Sequence, residues 1–330
     1  MTTIRDVAHL AAVSIATVSR VVNNSPHKVH QSTRENVLKA IKELDYRPNA
    51  LARGLLNKKT MTIGIIIPDI SNTYYAEIVR GIQDVADIAG YAVILQNTDR
   101  NQDRIVKHIY LLREKLADGI IFGGGIIQGD EPLSALGELR DRAVVIGRHE
   151  VNFPAIRVDN IGGADAVTRH LIDLGHRRIA FIGGPPVSTT IVDRLTGYTN
   201  ALVQNGLVAD SQMVMYGNFT PESGCRVTKE LFARKEKPTA ILSANDQMSF
   251  GAFKAVRELG LKIPKDVAIA GFDDIPLSSY FDPPLTSVAI PRYALGTAAM
   301  ELLVDLIAGG TVDKIRWFKT ELNIRESTAG

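Results

Sequence analysis

The chain has 330 residues, of which 45% are hydrophobic and 22% are charged, a composition typical of a water-soluble globular protein of about two or three domains. Its one cysteine, Cys225, excludes an intramolecular disulfide framework and indicates a reducing, cytoplasmic compartment. The apolar runs fall short of the roughly 20 residues that span a bilayer, and the first residues lack the apolar core of a signal peptide. We therefore expect a cytoplasmic protein without membrane contact.

Charge is distributed unevenly along the chain. Residues 1–60 hold ten Lys and Arg residues against four acidic residues, which leaves 28 basic and 32 acidic residues in the remainder. A small basic module joined to a slightly acidic body favours binding to a polyanion such as nucleic acid. A solvated basic surface would carry the same charge, so charge alone does not decide between the two.

Helical spacing of apolar residues predicts three short helices at the start of the chain. The first covers residues 4–11 and the second covers residues 14–23, with Ser14 as its N-cap. The third begins at Ser32, where the sequence Ser-Thr-Arg-Glu is typical of a capping box. The predicted apolar face of this third helix consists of Val37, Leu38, Ile41 and Leu44.

After a linker over residues 49–60, strands alternate with helices in two successive series that divide near Arg157. Two such series predict two doubly wound sheets, in which ligands bind at the carboxyl ends of the strands. The predicted strands are TIGIIIPD, YAVILQNTD, DGIIFGGG and AVVIG in the first series and RIAFIGGP, MVMYG, TAILSAND and VAIAGFDD in the second. Polar residues at these strand ends include Asp69, Asp99, Arg148, Asn245, Asp246, Asp273 and Asp274.

Catalytic and nucleotide-binding motifs receive little support. The glycines at 123–125 follow a strand, but Gln128 stands where a dinucleotide-binding motif requires glycine, and no GxxxxGK[ST] motif occurs. The seven histidines lack zinc-ligand spacing, and there is neither a GxSxG nor an HExxH motif. The pair Asp273 and Asp274 suits acid/base chemistry and hydrogen bonding to a polyhydroxyl ligand equally well. We expect no enzymatic activity, no cofactor and no metal.

The second predicted helix, SIATVSRVVNNS, separates apolar from polar residues. Val18, Val21 and Val22 lie three and four residues apart, so they are predicted to face a core. Arg20 can reach a guanine edge bidentately from a DNA major groove. Side chains predicted to meet phosphates are Ser14, Thr17, Ser19 and Asn23. An ordinary surface helix is the alternative, but the order of helix, short turn and helix favours a helix-turn-helix.

Several segments resemble the lac repressor / galactose repressor family of bacterial transcription regulators. The resemblance covers essentially the whole chain, and the head and the PDISN segment are most similar to the catabolite-control branch of that family. The matching segments are IRDVAHLAAVSIATVSRVVNNS, STRENVLKAIKELDYRPNALARGL, PDISNTYYAEIVRGI, RLTGY, ANDQMSFGA, VAIAGFDD and PPLTSV.

The resemblance implies a small all-α helix-turn-helix head plus an α/β body of two doubly wound parallel-sheet subdomains, folded like periplasmic sugar-binding proteins. In that fold the chain crosses between the subdomains three times. The implied parts are a DNA-binding domain at 1–48, a hinge helix at 49–60, and an effector-binding and dimerisation domain at 61–330, with an N-subdomain at about 61–160 and 291–320 and a C-subdomain at about 161–290.

The resemblance also implies a function: a homodimeric repressor that binds a pseudo-palindromic operator and responds to a sugar, sugar phosphate or sugar acid. A dimer is expected because the C-terminal RESTAG carries no leucine heptad. A phosphorylated carrier protein acting as corepressor remains an alternative. A solute-binding protein is the alternative of a different class, and the basic head opposes it.

Two departures from the family pattern bear on DNA reading. Ala12 occupies a turn position where many relatives have glycine, and Ile15 and Ala16 offer the bases no side-chain hydrogen bonds. Specificity is therefore expected to depend on Arg20 and on Leu55, the hinge residue that wedges into the minor groove. The DNA-binding residues implied by the resemblance are Thr3, Arg5, Ser14, Ile15, Ala16, Thr17, Ser19, Arg20, Asn23, Tyr46, Asn49, Ala52, Arg53 and Leu55.

The effector pocket is likewise implied residue by residue. Asp, Asn and Arg side chains suit several ligand hydroxyls, and an aromatic ring covers an apolar ligand face. If Arg148 and Arg194 both point inward, an acidic or phosphorylated ligand is favoured over a neutral sugar; a surface ion pair is the alternative for Arg148. The implied effector-binding residues are Tyr74, Tyr75, Arg148, Arg194, Phe219, Asn245 and Asp273.

Overall fold

A computed structural model describes residues 2–22, 27, 29–46, 59–126, 130–148, 153–310 and 312–329. The chain divides into two compact units, residues 1–61 and residues 62–330. We call the first unit the head and the second unit the body, and each is described by itself. Within the described residues, no helix is both long enough and apolar enough to cross a membrane.

The head contains the three predicted helices. They are α1 (Ile4–Leu10), α2 (Ile15–Val22) and α3 (Gln31–Glu43). Small aliphatic side chains from all three helices form its core, which is why so short a segment can close around it. The buried members are Val7, Ala8, Ala11, Val18, Val21, Val37 and Ala40, with Val22 packed against them.

Two predictions for α3 are wrong. The helix begins at Gln31 and its N-cap is His30, so the predicted capping box does not form. Instead, the Ser32 hydroxyl bonds the His30 ring at 2.9 Å, and Gln31 donates to Glu35. Leu38 is 49% exposed, because the face of the helix that meets the core passes through Ala40 instead.

The turn between α1 and α2 keeps a left-handed residue even though that residue is not glycine. Ala12 has a φ of 51°, and its amide donates to the His9 carbonyl at 3.2 Å. The Val13 amide donates to the Ala8 carbonyl at 3.0 Å. The turn therefore tolerates a Cβ at some conformational cost.

The first sheet of the body has the strand order β11-β5-β4-β3-β1-β2, and all its pairings are parallel. Its central strands β1, β3 and β4 are near-continuous apolar runs, as expected of strands covered on both faces. The strands are β1 (Thr62–Ile67), β2 (Ala92–Asn97), β3 (Gly119–Phe122), β4 (Ala143–Ile146), β5 (Ala155–Val158) and β11 (Ile315–Phe318). The accompanying helices are α4 (Thr73–Ala89), α5 (Gln102–Glu114), α6 (Asp130–Gly137) and α11 (Arg292–Ile307).

The second sheet has the order β12-β10-β9-β8-β6-β7. It repeats the plan of the first, except that β12 pairs antiparallel with β10. The strands are β6 (Ile179–Gly183), β7 (Val214–Tyr216), β8 (Ala240–Ser243), β9 (Ala268–Asp273), β10 (Thr286–Ala289) and β12 (Glu321–Asn323). The helices are α7 (Asn160–Asp173), α8 (Thr189–Gln204), α9 (Pro221–Phe232) and α10 (Asp246–Glu258).

The chain passes between the two halves of the body three times: from β5 to α7, from β10 to α11, and from β11 to β12. The predicted fold class, an all-α head with two doubly wound sheets, is confirmed. Four strands were not predicted, namely β5, β10, β11 and β12. The order of both sheets leaves a switch point between the first and third strands of each, where ligands bind in such folds.

Candidate functional site

The residues of α2 divide between a buried and an exposed face. Val18 and Val21 are buried in the head, whereas Ile15 is 45% exposed. Of the predicted DNA-binding residues, Thr17 and Ser19 are half-buried, and the exposed ones in this region are Thr3, Arg5, Ser14, Ile15, Ala16 and Arg20. One face of α2 therefore holds the head together and the other presents side chains to solvent.

Three predicted DNA-binding residues also have structural roles within the head. The Ser14 hydroxyl accepts a hydrogen bond from the Thr17 amide at 3.1 Å, which confirms Ser14 as the cap of α2. The Thr3 amide and hydroxyl both donate to Asp6, and these hydrogen bonds lower the pKa of that carboxyl. The Tyr46 side chain packs against the core of the head. The predicted residues Asn23, Asn49, Ala52, Arg53 and Leu55 lie outside the described residues.

The body contains a cleft with a volume of about 410 Å³ between its two sheets. Residues that end or follow strands of both sheets line it, including Pro68 after β1, Gly123 after β3 and Pro185 after β6. The cleft therefore lies at the carboxyl ends of the strands, where the sequence predicted a ligand. It brings together all seven predicted effector-binding residues: Tyr74, Tyr75, Arg148, Arg194, Phe219, Asn245 and Asp273.

Arg194 organises a buried polar network in the cleft. Its guanidinium is buried and stacks over the Phe272 ring at 3.7 Å from the centroid. It donates to Asn160 at 2.9 Å, to Asp273 at 3.3 Å and to the Ala244 carbonyl. Such a network fixes the direction of each group before any ligand arrives.

Arginine side chains from both halves of the body act on Asp273. Burial raises the pKa of Asp273 to about 6, and Arg194 and Arg292 oppose that rise. Arg292 also donates to the backbone carbonyls of Asp273 and Asp274. A buried carboxylate held this way can accept hydrogen bonds from ligand hydroxyls.

Two other carboxylates at these strand ends, Asp246 and Asp274, have structural roles. Asp246 is fully buried and accepts hydrogen bonds from Ser278 and Ser287; burial raises its pKa to about 7. Asp274 pairs with Arg325 at 2.7 Å. Neither Asp246 nor Asp274 lines the cleft, so neither provides the ligand contact or the acid/base pair considered from the sequence.

Aromatic rings supply part of the apolar lining of the cleft. Tyr74 and Tyr75 meet edge to face with centroids 5.0 Å apart, and burial raises the pKa of both phenols. Phe219 lies against Gly184, where a Cβ would come within 2.3 Å of the ring. Gly184 is therefore required for the position of Phe219.

Residues of both halves meet at the outer part of the cleft. Arg148 donates to Asp193 through two nitrogens at 2.7 and 3.2 Å, and the Thr189 hydroxyl donates to the Arg148 carbonyl at 2.5 Å. Arg100 pairs with Asp69 at 3.1 Å and donates to the Asn218 carbonyl at 3.0 Å. These contacts join the first sheet's side of the cleft to the second sheet's side.

Several residues of the cleft were missed by the sequence reasoning as site residues. Asn160 follows β5, and recognising that strand would have placed it at a carboxyl end.

Four residues that line the cleft have a positive φ without being glycine: Asp99, Arg100, Phe219 and Asp273. Strained backbone clusters at functional sites, so this feature independently marks the cleft. The other missed polar residues are Asn72, Thr98, Gln102, Ser188, Thr189, Thr190 and Asn218.

Comparisons with known proteins agree with this arrangement. The model described as "Bacterial regulatory proteins, lacI family" matches residues 3–49, and the "Periplasmic binding protein-like domain" model matches residues 168–328. Catabolite control protein A of Priestia megaterium is 41% identical over 332 residues, with 99% of each protein covered.

Solved structures match over the same length. A lac repressor dimer bound to operator and the anti-inducer ONPF gives a TM-score of 0.90 at 29% identity, covering 100% of this chain and 99% of that one. A complex of the transcriptional regulator CelR with cellobiose gives 0.75 at 34% identity, covering 99% and 100%. The chain therefore belongs to the LacI family of bacterial regulatory proteins, and it is a DNA-binding transcription regulator with a helix-turn-helix head and a periplasmic-binding-protein-like body.

Proposed function

We propose that this regulator acts in the cytoplasm as a homodimeric repressor, binds a pseudo-palindromic operator, and is controlled by a small uncharged polyhydroxyl ligand in the cleft. The dimer follows from family membership, since a two-fold symmetric protein matches a pseudo-palindromic site. The operator-bound lac repressor, a solved structure similar over the whole chain, is itself a dimer.

The division of α2 supports the DNA-binding part of this proposal. A helix that buries Val18 and Val21 while it exposes Arg20 can enter a major groove without disturbing the core of the head. Arg20 then reads a base edge, while Arg5 and Ser14 contact phosphates. Ile15 and Ala16 contribute shape and contact with thymine methyl groups.

The charge balance of the cleft carries the proposal for the ligand. Each of the five charged side chains that line it, among the described residues, has an oppositely charged partner. The pairs are Arg100 with Asp69, Arg104 with Asp99, Arg148 with Asp193, and Arg194 with Asp273. An acidic or phosphorylated ligand would either break one of these pairs or place its charge beside the carboxylate of a pair, whereas neutral hydroxyls can bond to the pairs as they stand.

The same pairing argues against catalysis. Asp99 and Asp273, the carboxylates that line the cleft, are each held by an arginine, which suits hydrogen bonding to hydroxyls better than proton transfer. We therefore propose a binding site and no enzymatic activity.

Ligand contacts from both halves of the body provide the regulation. Tyr74 and Arg148 belong to the first half, and Arg194 and Asp273 belong to the second. A ligand that contacts both halves favours one of their relative arrangements, which shifts the population of the DNA-binding state.

Two measurements test the proposal. Fluorescence anisotropy with genomic fragments must detect specific binding below micromolar concentration at moderate salt; failure there would count against the repressor. A thermal-shift screen of matched neutral, acidic and phosphorylated sugars must select a neutral compound, which at a hundredfold its dissociation constant adds about 2.7 kcal/mol of stability. Selection of an acidic compound would contradict the assignment of the ligand.

A further inference from the structure

The Arg148–Asp193 pair differs from the other ion pairs of the cleft. Arg148 follows β4 and lines the cleft, whereas Asp193 lies on α8 behind it and does not line the cleft. Both carboxylate oxygens of Asp193 accept hydrogen bonds from Arg148, at 2.7 and 3.2 Å. The Arg148 side chain remains 42% exposed, against 19% for Asp193. A ligand that enters the cleft therefore meets Arg148 rather than its carboxylate partner.

The other carboxylates that pair with cleft arginines, Asp273 and Asp69, also have a second position or contact that bears on the site. Asp273 itself lines the cleft. Asp69 also accepts hydrogen bonds from the amide and the hydroxyl of Ser71, just before α4. Asp193 bonds both its oxygens to Arg148, so its charge can be altered with the least effect on the ligand-contacting surface.

We propose that Asp193 is a specificity-determining residue, which acts through Arg148 to exclude anionic ligands such as phosphorylated sugars and sugar acids from the cleft. It is a positioning residue, since it touches Arg148 and not the ligand. This inference rests on the proposed function, because it assumes that the cleft is the ligand site.

Asp193 and an anionic group on a ligand compete as acceptors for one guanidinium. Paired side by side with a carboxylate, Arg148 has its strongest donor geometry already satisfied. Asp193 accepts from Nε and Nη2 of Arg148, so a phosphate or carboxylate on a ligand either displaces Asp193 or binds the remaining guanidinium hydrogens. In both cases it lies close to the partly buried negative charge of Asp193. A neutral ligand incurs neither cost. Selectivity therefore comes from the negative charge of Asp193, which disfavours anionic ligands.

The variant Asp193→Asn tests this directly. Asparagine keeps the size of the side chain and one acceptor oxygen for Arg148, but it removes the charge. The probes are D-ribose with D-ribose 5-phosphate, cellobiose with cellobiose 6′-phosphate, and inorganic phosphate, each measured by calorimetry against the full-length protein. We expect the affinity for at least one phosphorylated probe to rise tenfold or more, while the affinity of the matching neutral sugar changes less than threefold.

Two further variants isolate the cause. Asp165→Asn removes the same charge from α7, where Asp165 pairs with Arg169 at 2.6 Å outside the cleft; it must leave selectivity unchanged. The double variant Arg148→Gln/Asp193→Asn must lose the gain, since no freed guanidinium remains. Thermal unfolding of each variant verifies that it is folded.

The results separate this inference from the proposed function. No gain for any phosphorylated probe in Asp193→Asn overturns the role of Asp193, and so does a gain that persists in the double variant. Failure of the wild-type protein to bind any DNA fragment contradicts the proposed function instead. Wild-type protein that binds a phosphorylated probe as tightly as its neutral counterpart also overturns the inference.

Discussion

The head and the body present their functional side chains in opposite ways. On the head, Arg5 and Arg20 are exposed, and a DNA phosphate or base edge can supply their partner. In the cleft of the body, Arg194 is buried with its partners Asn160 and Asp273 already in place. The exposed arginines of the head can bind an anionic macromolecule, whereas the charges of the cleft are matched internally, as we propose for the site of a small neutral ligand.

The largest expected effect, on the stability of the body, follows from removing the buried arginine of the cleft. In Arg194→Ala, Asp273 and Asn160 lose their buried donor, so the free energy of unfolding of the body falls by about 3–5 kcal/mol. Ligand affinity is lost as well. Urea denaturation followed by circular dichroism measures the loss of stability.

The control for this variant is Arg169→Ala, which breaks the partly exposed pair with Asp165. Because solvent screens exposed ion pairs, we expect this variant to lose much less stability than Arg194→Ala. Equal losses in the two variants would show that the buried network has no special role.

On the head, removing a charge leaves stability unchanged and weakens DNA binding. In Arg20→Ala, operator affinity falls by about 1–3 kcal/mol if the guanidinium reads a base pair bidentately. The thermal midpoint stays constant because Arg20 is exposed. Anisotropy titrations on the operator and on scrambled DNA separate base reading from phosphate contact: a loss that is equal on both sequences would assign Arg20 to the backbone. Lys254→Ala, at an exposed site on α10, is the charge control.

The contrast also explains which features the sequence predicted. Continuous apolar runs such as the one from Ile63 to Ile67 predict buried strands. Strand β5 was not predicted because Arg157 interrupts its four residues. The division of α2 into a buried and an exposed face follows from helical periodicity alone. The seven cleft residues were obtained by family resemblance, since their proximity depends on two sheets meeting.

What the sequence could not predict are pairings between distant residues. Arg148 and Asp193 lie 45 positions apart, and nothing local distinguishes Asp193 from a surface residue of an amphipathic helix. Likewise, adjacent Asp273 and Asp274 are chemically identical, yet one lines the cleft and the other pairs with Arg325. Positions along a strand end are set by register, which periodicity does not reveal.

A change of pH provides a milder way to disturb the cleft. Because the pKa of Asp273 is raised to about 6, this carboxylate, which we propose accepts hydrogen bonds from ligand hydroxyls, is ionised above pH 7 and mostly protonated at pH 5. One pH unit below the pKa leaves roughly a tenth ionised, so ligand affinity falls about tenfold between pH 7.5 and 5. Calorimetry at both pH values measures this, and a flat profile would contradict it; in Asp273→Asn the affinity is low at both.

Stability responds to pH in the opposite direction. The pKa of Asp273 in the folded body exceeds its ordinary value of 3.8, so the folded state binds more protons than the unfolded state between about pH 4 and 6. The free energy of unfolding therefore falls as the pH rises through that window. Asp246, with its pKa raised to about 7, extends the same trend toward neutrality.

The smallest expected effect concerns the stability of the head, which depends here on a backbone conformation rather than on a charge. Ala12 holds a φ of 51°, a region that costs an L-residue roughly 1–2 kcal/mol. Ala12→Gly removes this cost but adds freedom to the unfolded chain, so we expect a net gain of about 0.5–1 kcal/mol in head stability. Hydrogen exchange of amides in α1 and α2 reports the head separately from the body. Ala12→Val, whose branched Cβ is poorly tolerated at positive φ, must reduce protection; if both variants left exchange unchanged, the turn would not limit the stability of the head.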